Sequence, residues 1–176
     1  MTTTTTLTQA PAEPAPPESP FLTRRARLGD LEAVNELHRG CSLASRYARY
    51  ATPRRELKRA EYARLLHPSA GTSWLTTLRD APDTAVALTH LLKTRTSHAY
   101  ELAVLVGDLW QGRGLGTQLT DHALAAAAAE PDCHTVTAQF GATNTRALAI
   151  LRRRNIWVPR AADGLIDLTI PLAARS

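Results

Sequence analysis

The sequence predicts a mixed α/β (α+β) fold, built from one domain. Three observations carry that expectation. Helical periodicity dominates residues 29–67, and β-like patterning replaces it near residue 72. The run AYELAVLV, residues 99–106, is almost wholly apolar, as a central strand should be. After it, helical and strand patterns alternate to the end, as crossover connections do.

The elements follow in order. Residues 1–20 hold the run Thr2–Thr6 and five prolines, and too few apolar side chains to offset the entropy of ordering. They read as a disordered tail, and residues 21–176 as the domain. LTRRAR (22–27) reads as a short strand. GDLEAVNELHR (29–39) reads as a helix capped by Asp30, with Leu31, Val34, Leu37 and His38 inward. GCSLASRYARYATP (40–53) is a loop running into a short helix that stops before Pro53. RRELKRAEYARLLH (54–67) is a further helical piece, apolar at Leu57, Tyr62, Leu65 and Leu66, ended by Pro68. TSWLTTLR (72–79) and TAVALTHLLK (84–93) form a hairpin across DAPD. A helix of about 15 residues precedes Pro131. HTVTAQF (134–140) is a strand, NTRALAILRRR (144–154) a helix with Ala147, Leu148, Ile150 and Leu151 inward, and GLIDLTIPL (164–172) a closing strand.

Composition narrows the function classes. The chain has 176 residues, 44% hydrophobic, enough for a sizeable core. No apolar run nears the roughly 18–20 residues of a membrane helix, and the amino terminus lacks a secretory pattern. Cys41 and Cys133 have no partner at metal-ligand spacing, so neither a metal nor a disulfide is expected, and the compartment expected is the cytoplasm. The net charge of +5 comes from an arginine excess over two lysines, Lys58 and Lys93. It favours anionic ligands, but no zinc-finger spacing or aromatic RNA-reading motif accompanies it, so nucleic acid is not expected.

The stretch LVGDLWQGRGLGTQL (105–119) carries the chemistry. Gly112, Gly114 and Gly116 separate an apolar strand from a helix. Thr117 breaks the dinucleotide pattern, and no Gly-Lys-Ser/Thr closes a triphosphate loop. An anion site remains physically sound. A helix start offers unpaired N–H groups and partial positive charge, and Arg113 adds a full charge. Glycine spacing alone is equally compatible with a β–α turn that holds nothing.

The flanking residues identify more. Gln111, Gly114 and Gly116, in QGRGLG after an apolar strand, resemble the acetyl-CoA signature Q/R-x-x-G-x-G/A of the GNAT superfamily of N-acetyltransferases. Leu115 and Leu119 match the buried face of its helix. Asn144 and Ala147, in NTRALAILRRRNIW, resemble its second cofactor segment, one helix and one strand downstream. The resemblance implies a mostly antiparallel sheet that splays at the fourth strand, residues 99–106. It implies that acetyl-CoA lies there as cosubstrate. The pantetheine arm would pair with the backbone of Val104, Leu105 and Val106. The N–H groups of Gly112, Arg113, Gly114, Leu115, Gly116 and Thr117 would face the pyrophosphate, beside Gln111. Asn144 would sit near the thiol end.

An amine must lose a proton before attacking a thioester. For a lysine-like amine near pH 7.4 that costs about 4 kcal/mol, which calls for a general base. Glu101, early on the presumed central strand, is the candidate. A carboxylate there, among apolar neighbours, should have a raised pKa and point into the cleft; the alternative is a strand-end glutamate that faces solvent. The family's usual proton donor, a tyrosine seven residues after the asparagine, is Leu151 here, and its Gly-Phe is Asn155-Ile156. Tyr47, Tyr50, Tyr100 or water could substitute. Of the histidines, His98 is expected nearest the cleft, and Arg152–Arg154 are expected as a solvated helix end.

HRGCSLASRYARY (38–50) resembles bacterial GNAT domains that acetylate protein lysines. The implied acceptor is a primary amine, on a protein or a small molecule, with the chain a monomer or homodimer. A catalytically weak acyl-CoA-binding module and an antibiotic- or metabolite-modifying acetyltransferase are the alternatives.

Overall fold

A computed structural model describes residues 19–50, 52 and 54–172. The expectations for the tail before residue 19 and for Pro53 lie outside the described residues. Six strands form one sheet in the order β1 (Phe21–Arg25), β2 (Gly71–Leu78), β3 (Ala85–Lys93), β4 (Ala99–Val106), β5 (Thr135–Gly141) and β6 (Leu165–Pro171). All neighbours pair antiparallel except β4 and β5, which are parallel. The helices are α1 (Leu31–Gly40), α2 (Leu43–Tyr50), α3 (Arg59–Leu65), α4 (Leu115–Ala129) and α5 (Thr145–Arg153).

The sheet is covered on both faces. Val34, Leu37, Leu57 and Tyr62 bury Leu75, Leu88 and Leu105 on the α1–α3 face. Ala123 and Ala127 of α4 pack on Trp74, Leu91, Tyr100 and Leu102 on the other. α5 extends that second layer through Leu151, against Phe140, Ile166 and Leu168. Alternation decides which side chain goes to which layer.

Two sequence expectations need correction at the amino-terminal side. Asp30 does not cap α1 through its side chain. Its carboxylate turns back to accept from the Arg27 N–H at 2.7 Å and to pair with Arg24 at 2.8 Å. The helical piece expected over 54–67 is helical only over Arg59–Leu65. The reason is the buried Asn35 on α1. Its amide accepts from the Leu57 N–H at 2.8 Å and donates to the Leu57 C=O at 3.3 Å. Both backbone groups that a helix would need at Leu57 are thereby spent. No described helix is long and apolar enough to cross a membrane.

Candidate active site

The site begins where β4 and β5 part. They pair only at Ala99↔Thr135, Tyr100↔Val136 and Glu101↔Thr137, yet β4 runs on to Val106 and β5 to Gly141. A V opens from Leu102 onward. On the other side β4 stays paired with β3 to Val106. In an antiparallel ladder successive residues turn their backbone groups to opposite sides. Bonds from Thr94 N–H to Ala99 C=O, at 3.0 Å, and from Gly107 N–H to Val86 C=O, at 2.9 Å, set the phase. The odd-numbered residues of β4 therefore face β3. Val104 and Val106 turn their N–H and C=O groups into the V. Leu105 does not: its backbone faces Leu88, and its side chain is buried in the α1–α3 core.

At the mouth of the V the chain makes one 3-10 turn, Asp108–Trp110, and reaches Gln111. The Gln111 amide donates to the Val106 C=O at 2.8 Å, which leaves the Val106 N–H as that residue's open group. Gly112 and Gly114 have φ of +73° and +83°, the left-handed region where a side chain is strained. This kink starts α4 at once. The first bond within α4 runs from Gln118 N–H to Gly114 C=O, so the N–H groups of Leu115, Gly116 and Thr117 have no acceptor within the helix. Leu115 offers only its backbone, because its side chain is buried beside Leu119. A Cβ on Gly116 would lie 3.3 Å from Ile150 Cδ1, so this glycine sets how closely α4 and α5 approach. Arg113 is exposed, its guanidinium 5.2 Å from the Trp110 ring centroid. Asn144 caps α5, its Oδ1 accepting from Ala147 N–H at 3.1 Å.

Glu101 is the last β4 residue paired with β5, on the sheet face shared with α2. It is exposed rather than buried among apolar groups, because β4's apolar neighbours point to the opposite layer or lie farther along the strand. Arg49 of α2 lies within its electrostatic reach. Burial works to lower the proton affinity of Arg49, and the charges of Tyr50 and Glu101 work to raise it. Glu101 lines a cavity of about 300 Å³ together with Thr137, Gln139, Asp167 and Thr169. The sequence reading missed these four. Their signal is polar alternation at 137 and 139 on β5 and at 167 and 169 on β6, which makes the middle of one hairpin face polar. It also missed Asp108, which accepts from Ser45 Oγ at 2.6 Å, Ser42 N–H at 3.0 Å and Gln111 Nε2 at 3.1 Å. Burial opposes its ionisation, but the Ser45 and Ser42 hydrogen bonds outweigh that and hold its pKa below the usual carboxylate range.

The substitute proton donors sort cleanly. Leu151 is buried in the α5–β6 cluster. Tyr100 lies in the α4 layer. Tyr50 gives its hydroxyl to His38 Nε2 at 2.5 Å. Tyr47, half exposed on α2, keeps an accessible hydroxyl. His98 stacks on His134 at the closed end of the V, before Ala99, and is not at the cleft as expected. At the end of α5, Arg154 pairs with Asp121 of α4 rather than standing free in solvent. Among the described residues no group of three or more His, Cys, Asp and Glu could hold a metal ion.

Comparison with known proteins agrees with this geometry. The profile of the acetyltransferase (GNAT) family matches residues 31–155. No curated protein sequence matches the chain. The GNAT domain of PAT from S. lividans superposes with a TM-score of 0.72 at 22% identity, covering 85% of this chain and 89% of that one. A spermidine N-acetyltransferase from Vibrio cholerae, solved with CoA and spermine, gives 0.67 at 14% identity, covering 88% and 96%. A protein from Salmonella typhimurium solved with its cofactor acetyl-CoA gives 0.67 at 16%, covering 90% and 97%. With the profile spanning most of the chain and the splayed sheet in place, this protein belongs to the acetyltransferase (GNAT) family, whose cosubstrate is acetyl-CoA.

Proposed function

We propose that the chain transfers an acetyl group from acetyl-CoA to a primary amine, on a protein lysine or a small molecule, by direct attack within a ternary complex. The observation that carries the reading is the open edge of β4. Its free backbone groups lead straight to a helix start with unpaired N–H donors, which suits an extended arm ending in a pyrophosphate. Val104 and the Val106 N–H pair with the arm, while Leu105 between them holds the strand to β3. Gly112, Arg113, Gly114, Leu115, Gly116 and Thr117 receive the pyrophosphate, Gln111 fixes the loop, and Asn144 lies across the V.

The acceptor enters over the polar β5–β6 face. Glu101 and Asp167 attract its ammonium, and Thr137 and Thr169 supply hydroxyls. The surplus proton passes to Glu101, through water where the carboxylate stands open to solvent. The amine nitrogen bonds the acetyl carbon and gives up its second proton to solvent, the carbon–sulfur bond breaks, and a proton returns to the departing sulfur from solvent water or from Tyr47, which solvent then reprotonates. Burial of Leu151 favours a second reading, an acyl-CoA-binding module of low turnover, because no proton donor stands at that position.

The test is thiol release from acetyl-CoA against a panel of lysine peptides and small amines, with calorimetric CoA binding in parallel. Turnover with at least one amine supports the transferase reading. Binding with no turnover across the panel supports the module. Glu101→Gln should lower turnover at least about tenfold with CoA affinity retained. Unchanged turnover removes Glu101 as the base.

A further inference from the structure

The roof of the cleft is joined to the pyrophosphate loop by one carboxylate and one amide. Only Arg46 of the eight residues of α2 is buried, while Leu43 and Tyr47 are about half exposed. Hydrogen bonds hold this helix more than apolar packing does. At its carboxyl end Tyr50 bonds His38, and the Arg46 guanidinium donates to the His38 and Cys41 carbonyls. At its amino end Asp108 receives the Ser42 N–H on one oxygen and the Ser45 hydroxyl on the other. The second oxygen also accepts from Gln111, whose amide reaches Ser45 Oγ at 3.1 Å as well. Asp108 and Gln111 flank a single 3-10 turn, one residue before the left-handed glycines.

We propose that Asp108 and Ser45 couple the cofactor loop to α2, so that occupancy of the loop stabilises the helix that roofs the acceptor side. This rests on the cofactor reading above. An element with few buried apolar groups opens locally at low free energy, so small changes at its anchors change its population. An anion on the loop's N–H donors narrows the positions open to Gln111. Gln111 is shared with Asp108 and Ser45, so the same restriction favours the anchored arrangement of α2. α2 carries Arg49, which lies within electrostatic reach of Glu101. Asp108 is therefore a positioning residue: it touches neither cosubstrate nor acceptor, yet it sets the roof over the reacting groups. By reciprocity, an acceptor that holds α2 down should tighten CoA binding by the same factor.

Hydrogen exchange of the α2 amides, with and without saturating CoA, tests this on the full chain. In the wild type CoA should slow exchange over residues 43–50 by about fivefold or more. Ser45→Ala removes the α2 hydroxyl that both Asp108 and Gln111 reach and leaves the Ser42 N–H bond to Asp108 in place. There the ratio of rates with and without CoA should fall to near one, with the CoA dissociation constant within about threefold of wild type. Asp108→Asn is the second variant, with the same expected collapse. A purely structural role would raise exchange in both states and leave the ratio intact, and that result overturns the proposal. CoA binding to the wild type without protection of α2 overturns the coupling alone. Failure of CoA to bind the wild type overturns the cofactor reading and the coupling together.

Discussion

His90 on β3 is fully buried, and its two ring nitrogens have unequal surroundings. Ser73 Oγ donates to the Leu65 carbonyl at 3.2 Å, so at 2.7 Å from His90 Nδ1 it accepts. That assigns the proton to Nδ1. Nε2 is left buried with no hydrogen-bond partner. Burial, reinforced by Arg49 and His38, lowers the His90 pKa to about 3. His38 has the same logic in milder form. Its Nδ1 bonds the Val34 carbonyl at 2.6 Å, its Nε2 accepts from Tyr50, and burial lowers its pKa. The sign follows. Below about pH 6.5 the unfolded chain protonates these imidazoles and the folded chain does not. Stability is therefore present above about pH 6.5 and lost as pH falls toward 3. At pH 5 His90 alone accounts for about 2 kcal/mol of that loss. Urea unfolding at pH 7 and pH 5 measures it. His90→Gln should show a distinctly smaller drop between the two pH values, and an equal drop in variant and wild type would refute the assignment.

At the scale of elements, the β4–loop–α4 unit was legible because its signals are local. An apolar run, three glycines and an amphipathic start lie within about twenty consecutive residues, and each constrains the next. What escaped the sequence depends on partners distant along the chain. Asn35 unwinds residues near Leu57, and no local pattern announces that. The exposure of Glu101 follows from where β5 leaves β4, a property of two strands and not of one. The Asp108 link to Ser42 and Ser45 spans more than sixty residues. Which of Val104, Leu105 and Val106 presents its backbone follows from alternation once the ladder's phase is known. Gly114 tests the local part. Its φ is +83° and a Cβ there meets nothing within 4 Å, so Gly114→Ala costs only the conformational strain, about 1 kcal/mol. A chain of this size should then melt about 2–4 °C lower, with CoA binding weakened as the N–H donors lose alignment. Gly29→Ala has equally open space and no positive φ, so its melting temperature should stay near wild type. Equal effects at both positions would show that backbone conformation is not what Gly114 supplies.

At the scale of the molecule, the splay divides one sheet into two leaves of unequal support. β1 through β4 form a continuous antiparallel leaf clasped between the α1–α3 core and α4. β5 and β6 form a hairpin whose own core is Phe140, Leu151, Ile166 and Leu168 under α5, with the middle of its other face polar. Three paired positions, the burial of Val136 beside Tyr100 under α4, the α4–α5 contact and the Arg154–Asp121 pair tie the leaves together. Apolar burial sets how costly local opening is, so the hairpin leaf should open more readily than β2 and β3. Native-state hydrogen exchange should show lower protection at the β5 and β6 amides than at central β3 positions such as Leu88 and Leu91. On the proposed cofactor reading, a ligand seated in the V touches both leaves, with Val104 on one side and Asn144 on the other. It binds the closed pair and not the opened one, so mass action should raise β5–β6 protection with CoA concentration, by about 2.7 kcal/mol at a hundredfold excess over the dissociation constant. Central β3 amides should gain as much only if they already exchange through global unfolding. Protection that is uniform across the sheet without CoA would mean that the V is an opening in shape alone, and that the two leaves unfold as one unit.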